Sequence, residues 1–414
     1  MSDREGQVGE SNELTVLDYL NEDCWRAVLD YVPVKDVICS ERVSSHWQRI
    51  VLLYLSHIRF LITYKDHYQC VGVAMEIPNV TSFEVDIDDW PSFLSWTNKL
   101  GSSVVGIHCT CLETLETISE NCPKLEGLGL FYPLTEKILT GDEIKDFKFL
   151  RKLGFTFINM SDQYLSKFIN CTVLEELYIG NNEVMTGECL DNIRLRDLKS
   201  LILSYCPEIK LSHLVSAADH FSKLTKLVLA DPNTEIHDNA NILVDKLPNL
   251  ESLHYVQRDV NQEFTNHYIG NFFKSVCSLG RLKHLYVHGF LNDYDLETIT
   301  RCCKELHSLE LEECEDVTPA GLWSACQNAG ARLTTLSLDG CSELTDDAIV
   351  ACIRSCPNLT SLSVRYIGGL TLKVVSRAEA ARAEVHAPVP LRLFVHGTKL
   401  MRKRYTLNYP DRVS

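Results

Sequence analysis

The sequence predicts an α/β solenoid, a stack of units that each contain one strand and one helix. A leucine-x-x-leucine-x-leucine phrase recurs between Leu125 and Val364. Its interval is nearly constant, and a helical apolar pattern follows the copies. The phrase is clearest at 306–311, 333–338 and 359–364, where Val364 takes the last place. The leading residues Leu125, Leu150, Leu174, Leu198, Leu224 and Leu250 are 25, 24, 24, 26 and 26 residues apart.

A second mark accompanies the phrase three residues after its last apolar position. Cys206, Cys314 and Cys341 hold this position, and Asn182 holds it in another unit. Leucine-rich repeats have a period of about 20–29 residues and carry Asn or Cys at this point. The sequence is similar to the cysteine-containing class of these repeats over roughly residues 80–400. We therefore expect a leucine-rich-repeat solenoid, a curved horseshoe with parallel inner strands and outer helices.

The second half of each unit has the apolar spacing of a helix. After Cys341, the residues Ile349, Cys352, Ile353 and Cys356 recur at offsets of 3, 4 and 7, which places them on one helical face. Thr345 should cap this helix, with negative charge from Asp346 and Asp347 in the first turn. Ser161, Thr186, Asn292 and Thr318 hold the equivalent place in other units, and Lys210 there makes a weaker cap.

The repeats are irregular at two places. Before Leu125 the units are degraded, as in Val80/Phe83/Val85 and Val104/Ile107/Cys109. Between Leu250 and Leu282 the interval stretches to 32 residues, which predicts an insertion near residues 256–275. We divide the chain into a disordered start at 1–13, a helical module at 14–55, the solenoid at 56–400 and a basic tail at 401–414.

Composition and charge restrict the class of protein. The 414 residues contain no apolar run near the about 18 residues that a membrane span needs. The polar start at Met1–Glu10 argues against a secretory signal, so we expect residence in the cytoplasm, the nucleus or both, with the 17 cysteines reduced. The net charge is -16, of which the part from Arg365 onward contributes +7 and residues 1–364 contribute -23. A domain this acidic disfavours nucleic-acid binding.

The residue inventory argues against an enzyme. His284 and His288 would be about 13 Å apart along a strand, too far to share a metal without other ligands. The sequence contains neither an HExxH motif nor a CxxC pair. We predict no catalytic residue, no metal site and no cofactor.

The segment before the solenoid carries no repeat phrase and has the pattern of short helices. Leu17, Leu20, Cys24, Val28 and Leu29 recur at helical offsets, Pro33 ends this run, and a second run extends from Asp36 through Val43 to Ile50. A unit of this size buries little surface alone.

These residues resemble an F-box, the module through which substrate receptors join SCF-type ubiquitin ligases. Leu20 to Cys24 is similar to the family's leucine-proline-x-glutamate opening, Val28 to Pro33 to its apolar run ending in proline, and Val43 to Trp47 to its valine-cysteine-x-x-tryptophan close. Asn21, Asp23 and Ser44 depart from the family's proline, glutamate and cysteine. An F-box followed by cysteine-containing leucine-rich repeats is typical of one large subfamily.

The resemblance implies a non-catalytic substrate receptor that docks to the Skp adaptor and, through it, to cullin. Trp47 would belong to the module's own core. The alternative is a leucine-rich scaffold outside the ubiquitin system, whose first helices only cap the solenoid. The residues expected to contact the adaptor are Leu17, Leu20, Val28, Leu29, Val32, Pro33 and Val43.

The repeats should bind a protein target through strand residues that flank the buried leucines. Side chains alternate along a strand, so these residues face away from the helices. Tyrosine and arginine are common interface anchors, and a basic residue such as Arg365 could bind an acidic or phosphorylated segment. The candidate target-binding residues are Tyr178, His254, His284, Tyr286, His288 and Arg365.

Overall fold

The computed structural model divides the chain into two compact units, 1–129 with 143–150 and 130–142 with 151–414. The structure describes residues 20–32, 34–56, 58, 60–64, 81–85, 104–109, 115–131, 146–156, 158–171, 173–257, 270–289, 291–371, 373–395 and 403–407. Within these residues, no helix is long and apolar enough to cross a membrane.

The first unit begins with three helices and continues into strands. Its elements are α1 (Glu22–Leu29), α2 (Val34–Ser40), α3 (Ser45–Ser56), β1 (Phe60–Tyr64), β2 (Thr81–Val85), β3 (Val104–Cys109), α4 (Leu115–Asn121) and β4 (Gly127–Phe131). The last two residues of β4 belong to the second unit. Strand β1 pairs in parallel with both β2 and β3, so strand order departs from chain order. The degraded units thus form strands, and β1 is a strand that carries no repeat phrase.

The second unit has the regular alternation that the phrase predicts. From β5 to β14, consecutive strands pair in parallel, and β15 then pairs antiparallel to β14. The strands are β5 (Lys152–Thr156), β6 (Glu176–Gly180), β7 (Ser200–Ser204), β8 (Lys226–Ala230), β9 (Ser252–Val256), β10 (His284–His288), β11 (Ser308–Glu312), β12 (Thr335–Asp339), β13 (Ser361–Ser363), β14 (Leu391–Val395) and β15 (Lys403–Leu407). The helices are α5 (Asp162–Cys171), α6 (Leu211–Ala218), α7 (Thr234–Asp245), α8 (Gly270–Ser278), α9 (Asp293–Cys302), α10 (Pro319–Ala329), α11 (Asp346–Ser355) and α12 (Lys373–Glu384). The fold is therefore a leucine-rich-repeat solenoid, as the sequence predicts.

The leucines of the phrase fill the interior of each repeat. Leu306, Leu309 and Leu311 are all buried, as is Ile299 from the preceding helix. Substitution of one such residue by alanine typically lowers the free energy of unfolding by about 2–5 kcal/mol. The phrase therefore marks the residues whose burial holds strand and helix together.

An Asn or Cys follows four of the strands, at Asn182, Cys206, Cys314 and Cys341, and the side chains of the first three hydrogen-bond to the backbone. The buried Asn182 amide donates to the Met160 carbonyl over 2.9 Å and accepts from the N–H groups of Val184 and Met185 over 3.0 Å each. The Cys314 thiol donates to the Val287 carbonyl of the previous strand over 3.7 Å. The mark therefore satisfies buried backbone groups that would otherwise lack a partner.

A residue in the left-handed conformation follows many of the strands. Asn181, Tyr205, Asp231, Glu313 and Tyr366 have φ between 50° and 59° although none is glycine. The N–H of Asn181, for example, donates to the Ser204 carbonyl at the end of the next strand over 2.8 Å. The strained turn directs this N–H to the next repeat.

Three of the predicted helix caps are confirmed and one is wrong, while the cap predicted at Ser161 stays a prediction. Asn292, Thr318 and Thr345 each cap a helix through their side chains, and Lys210 makes no side-chain cap bond. The expectation that Thr186 caps an α-helix is wrong. Gly187, with φ of +93°, follows it, and two 3-10 segments, Glu188–Leu190 and Ile193–Asp197, replace the α-helix.

Aspartates in the first turn of three helices reach into the following repeat. Asp162 accepts hydrogen bonds from the Thr186 N–H and hydroxyl over 2.8 and 2.9 Å. Burial pushes the pKa of Asp162 up, but hydrogen bonds from Cys189 and Thr186 outweigh it and lower the pKa. Asp293 binds Thr318, and Asp346 binds Thr371, in the same way. Each aspartate therefore anchors the turn that opens the next helix.

Two predicted irregularities lie partly outside the described residues. Residues 258–269 of the predicted insertion are not described, but the flanking strands β9 and β10 pair directly. The sheet is therefore continuous across this long interval. Within the predicted tail, Lys403–Leu407 forms a strand paired with β14, so these five residues are not a free tail.

Candidate protein-binding surfaces

The N-terminal module closes an interior of its own. Leu29, Val37, Val51 and Leu55 are buried among the three helices. The expectation that Leu29 contacts an adaptor is therefore wrong, because its side chain is only 2% exposed. It lies beside Val28 in the sequence, yet the two point in different directions from α1.

Two tryptophans join the helices of the module. The rings of Trp25 and Trp47 meet edge to face with centroids 5.3 Å apart. The Trp47 indole N–H also donates to the Ser40 hydroxyl over 2.9 Å. Trp47 thus packs within the module, in the role that the sequence assigns to it.

Two departures from the F-box pattern act as helix caps. The Asn21 side chain accepts from the Cys24 N–H over 2.9 Å at the start of α1. The Ser44 hydroxyl accepts from the Trp47 N–H over 3.1 Å at the start of α3. Asn and Ser are favoured caps, so both substitutions are compatible with the helices. Asp23 is exposed on α1.

Apolar side chains project from the module into solvent. Val28, Tyr31 and Val43 are 47%, 91% and 75% exposed. Leu20 and Val32 are half-buried, while Leu17 and the side chain of Pro33 lie outside the described residues. The sequence did not single out Tyr31, although an aromatic residue directly before Val32 and Pro33 was a usable signal. We refer to Val28, Tyr31 and Val43 as the module patch.

The face of the second-unit sheet opposite the buried leucines carries a central aromatic cluster. In β9 and β10, Leu253 and Leu285 point inward, so His254 and Tyr286 point to the open face. Their ring centroids are 5.6 Å apart. The Tyr286 hydroxyl donates to the Glu312 carboxylate on the neighbouring strand. These contacts fix the ring of Tyr286 between two strands.

The surroundings of His254 disfavour the charged form of its imidazole. Burial lowers the pKa of His254 to about 4, with smaller contributions from the charges of Lys226 and His284. Lys226 and His284 both pair in register with Ser252, one from each side. His254 is therefore a neutral imidazole near pH 7.

His288 is held by the polar groups on either side of β10. Its Nδ1 lies 2.9 Å from the Gln257 carbonyl, and its Nε2 lies 3.3 Å from the Glu313 carboxylate. Both partners are hydrogen-bond acceptors, and the tautomer decides which of them receives the ring N–H. The two contacts fix the orientation of the His288 ring on the open face.

Arg365 is a paired cation. Its guanidinium lies 2.6 Å from the Asp339 carboxylate, which also accepts from the Ser363 hydroxyl and from the Arg365 N–H. Asp339 is buried and raises the pKa of Arg365. The hypothesis that Arg365 offers an unpaired charge to an acidic target is therefore disfavoured by the structure.

The six candidate target residues do not form one site. His254, His284, Tyr286 and His288 share two adjacent strands. Tyr178 lies on β6, three strands from β9, which corresponds to about 14 Å across the sheet. Arg365 follows β13, three strands from β10 on the other side. Strand alternation also places Lys226 and Glu312 on this face, and both interact with the central cluster, although they were not among the candidates.

The chain is similar to known proteins at low sequence identity. No family model matches the chain. The DNA repair protein rhp7 of Schizosaccharomyces pombe is 23% identical over 292 residues, which are 65% of this chain and 49% of that protein. The chain thus spans about half the length of this curated relative.

Two solved structures align with the chain. Rad7, in a crystal structure of its complex with Elc1 from yeast, is 18% identical, with a TM-score of 0.40 over 89% of this chain and 78% of that chain. The leucine-rich-repeat-containing protein LegL7 from Legionella pneumophila is 13% identical, with a TM-score of 0.44 over 64% of this chain and 90% of that chain. Similarity at this level carries no information about partners.

Proposed function

We propose that this chain is the substrate-recognition subunit of an SCF-type E3 ubiquitin ligase. The module at 14–55 docks to the Skp adaptor and, through it, to cullin, while the open face of the repeats binds a target protein. The observation that carries the proposal is the module patch, which leaves large apolar side chains in solvent on a module whose interior is already closed.

The module patch has the chemistry of a protein interface. The interior formed by Leu29, Val37, Val51 and Leu55 does not use Val28, Tyr31 or Val43. Val28 and Tyr31 lie next to each other at the end of α1, where the Tyr31 N–H donates to the Val28 carbonyl, and neighbouring exposed apolar side chains commonly mark sites of protein association. Tyrosine is also enriched among the residues that dominate binding energy. A partner that covers the patch would therefore gain affinity without unfolding the module.

The proposed mechanism is positional and needs no covalent chemistry from this chain. A receptor that binds adaptor and target together raises the local concentration of target lysines near the ubiquitin-conjugating enzyme. The cluster of His254, Tyr286 and Glu312 is the target contact that we favour, because its rings are already fixed before binding. Fixed side chains lose less conformational entropy when a partner binds.

The second candidate function is a leucine-rich scaffold in which the helices only cap the repeats. Helix α3 ends at Ser56 and β1 begins at Phe60, so the module joins the first strand through a very short connection. Solenoid ends require such a cap. This candidate predicts that the module patch has no adaptor partner.

A pull-down with the full-length chain separates the two candidates. We expect Val43→Glu to abolish capture of purified Skp with cullin, because a charge in the centre of an apolar contact costs several kcal/mol. The matched control is Val173→Glu, which changes a 52% exposed valine in the repeats. Elc1 serves as a competing partner, since it is the partner named for Rad7.

The outcomes are distinct. Loss of Skp capture in Val43→Glu, with capture retained in Val173→Glu, supports the receptor. No capture of Skp by the unchanged chain refutes the SCF assignment, and capture of Elc1 instead would assign the module to a different adaptor. If deletion of residues 14–55 unfolds the repeats and no adaptor binds, the scaffold with a helical cap is the better description.

A further inference from the structure

Three buried cysteines lie close together between the repeats that contain α10 and α11. Cys326 lies on α10, Cys352 lies on α11, and Cys356 follows the end of α11. Their Sγ atoms all lie within 4.8 Å of one another, and those of Cys352 and Cys356 are 4.0 Å apart. None of the three is more than 3% exposed. The sequence prediction of no metal site rested on the absence of a CxxC pair, and it could not foresee that Cys326 joins from another helix.

The spacing of the sulfurs matches a three-coordinate metal. Three sulfur ligands in a plane around an ion, at about 2.3 Å each, lie about 4.0 Å from one another. The Cys352–Cys356 distance already has this value, and the other two pairs need to approach by less than about 1 Å. Within the described part of the chain, no histidine or carboxylate joins the group as a fourth ligand. A tetrahedral zinc site would therefore be incomplete.

The repeat pattern does not require cysteine at two of these positions. Cys326 lies eight residues after the Thr318 cap, where the next repeat has Ile353 eight residues after Thr345. Cys352 lies seven residues after Thr345, where the preceding repeat has Ala325. Aliphatic residues thus fill the same places elsewhere. Among the described residues, three sulfurs that all lie within 4.8 Å of one another occur at this pair of repeats, whereas Cys277, Cys302 and Cys303 form a looser group.

A buried arginine lies beside the cluster and lacks an acidic partner. Arg382 is 6% exposed, and its guanidinium donates to the carbonyls of Cys356, Pro357 and Val389 over 3.3, 3.0 and 2.5 Å. No carboxylate of a described residue lies within ion-pair distance of it. A buried charge of this kind needs compensation, and its nearness favours an anion at Cys356.

We propose that Cys326, Cys352 and Cys356 bind a univalent copper ion through their three sulfurs. Soft thiolate ligands at low coordination number select Cu(I) over harder ions. Two thiolates and one thiol around Cu(I) carry a net charge of -1, which the guanidinium of Arg382 offsets. Each thiolate forms when its S–H proton leaves to the buffer, so binding releases protons and no electron transfer occurs. The site stabilises the packing of α10 on α11 and is independent of adaptor binding.

The test is an anaerobic titration of the full-length chain with Cu(I) against a chelator of known affinity. The chelator is needed to compete with unspecific binding at exposed thiols such as Cys24, Cys39 and Cys302. We expect one tightly held Cu(I) per chain, and X-ray absorption showing three sulfurs at about 2.3 Å. The ion is also added during refolding, because the site is closed in the folded chain.

Variants separate this site from the other thiols. Cys352→Ala should weaken the tight site by more than about 100-fold, beyond the range of second-shell changes, and should remove the increase in melting temperature that copper gives. The control Cys314→Ala removes a buried thiol in another repeat and should bind copper like the unchanged chain. Circular dichroism of both variants without metal confirms that they fold. Equal copper affinity in Cys352→Ala, an X-ray absorption signal of two sulfurs, or preferential retention of Zn(II) would overturn the proposal.

Discussion

Substitution of Asn182 tests whether the Asn or Cys that follows several of the strands contributes to stability. The Asn182 side chain is fully buried and makes three hydrogen bonds to the backbone of its turn and of the preceding repeat. Asn182→Ala would leave the Met160 carbonyl and the N–H groups of Val184 and Met185 without these partners. An unsatisfied buried polar group costs about 1–3 kcal/mol. The bonds to Met160 and Met185 are buried, whereas the bond to Val184 is only part-buried. Two buried groups at the lower end of this range predict a loss of about 2 kcal/mol in the free energy of unfolding.

The measurement is equilibrium urea unfolding of the full-length chain. Asn182→Cys should recover only part of the loss, because a thiol can donate to the carbonyl but accepts poorly from the two N–H groups. The control Glu183→Ala changes the exposed neighbour and should stay within about 0.5 kcal/mol of the unchanged chain. A loss below about 1 kcal/mol in Asn182→Ala, or equal loss in the alanine and cysteine variants, would refute the reasoning.

The remaining predictions concern three other places in the fold. Gly330→Ala should destabilise the chain by about 1–3 kcal/mol, because the new Cβ would meet the backbone carbonyl of Ser355, whereas Gly280→Ala, which has open space, should be neutral in the same urea measurement. The pKa of His254 is lowered to about 4, below its unfolded value near 6.5, so its contribution to stability is complete above about pH 6.5 and falls as the pH decreases toward 4. In thermal melts from pH 7 to pH 4, the melting temperature of His254→Gln should therefore decrease less steeply than that of the unchanged chain. An equal dependence of the melting temperature on pH in both proteins contradicts the assignment. Trp47→Ala should destabilise the module by about 2 kcal/mol, roughly half the cost for a fully buried aromatic residue, and should abolish adaptor capture. Trp47→Phe should retain most of the stability and most of the adaptor capture. Normal capture by the alanine variant would show that the tryptophan contact is dispensable.

The repeat phrase allowed the strands and most helices to be predicted from sequence, because burial imposes the same leucine spacing on every unit. Asn292, Thr318 and Thr345 were identifiable as caps for a similar local reason, since each bonds to an N–H group two or three residues away. The hydrogen bonds that link repeats could not be predicted in this way. Asp162 and Thr186 are 24 residues apart, and nothing in either residue indicates its partner.

In the candidate sites, too, local sequence predicts some features, and others depend on how distant residues pack. Val28 and Leu29 are adjacent apolar residues in a helical pattern, and only the packing of α3 against α1 decides that Leu29 is buried and Val28 is exposed. Arg365 could be recognised as basic, but its neutralisation by Asp339 depends on the pairing of two strands. Cys352 and Cys356 were visible as apolar helix positions, while their meeting with Cys326 depends on the stacking of two helices.

The aspartate links between repeats have a direction. In each link the acceptor lies in the helix of one repeat, and the two donors lie in the turn that opens the next, as with Asp293 and Thr318. Loss of a repeat from the C-terminal side removes only donors and leaves an aspartate that water can solvate. Loss from the N-terminal side removes the acceptor and leaves an N–H and a hydroxyl of the new first turn unsatisfied. Arrays built in this way should therefore lengthen or shorten by whole repeats more readily at their C-terminal end, where the preceding repeat already presents the acceptor.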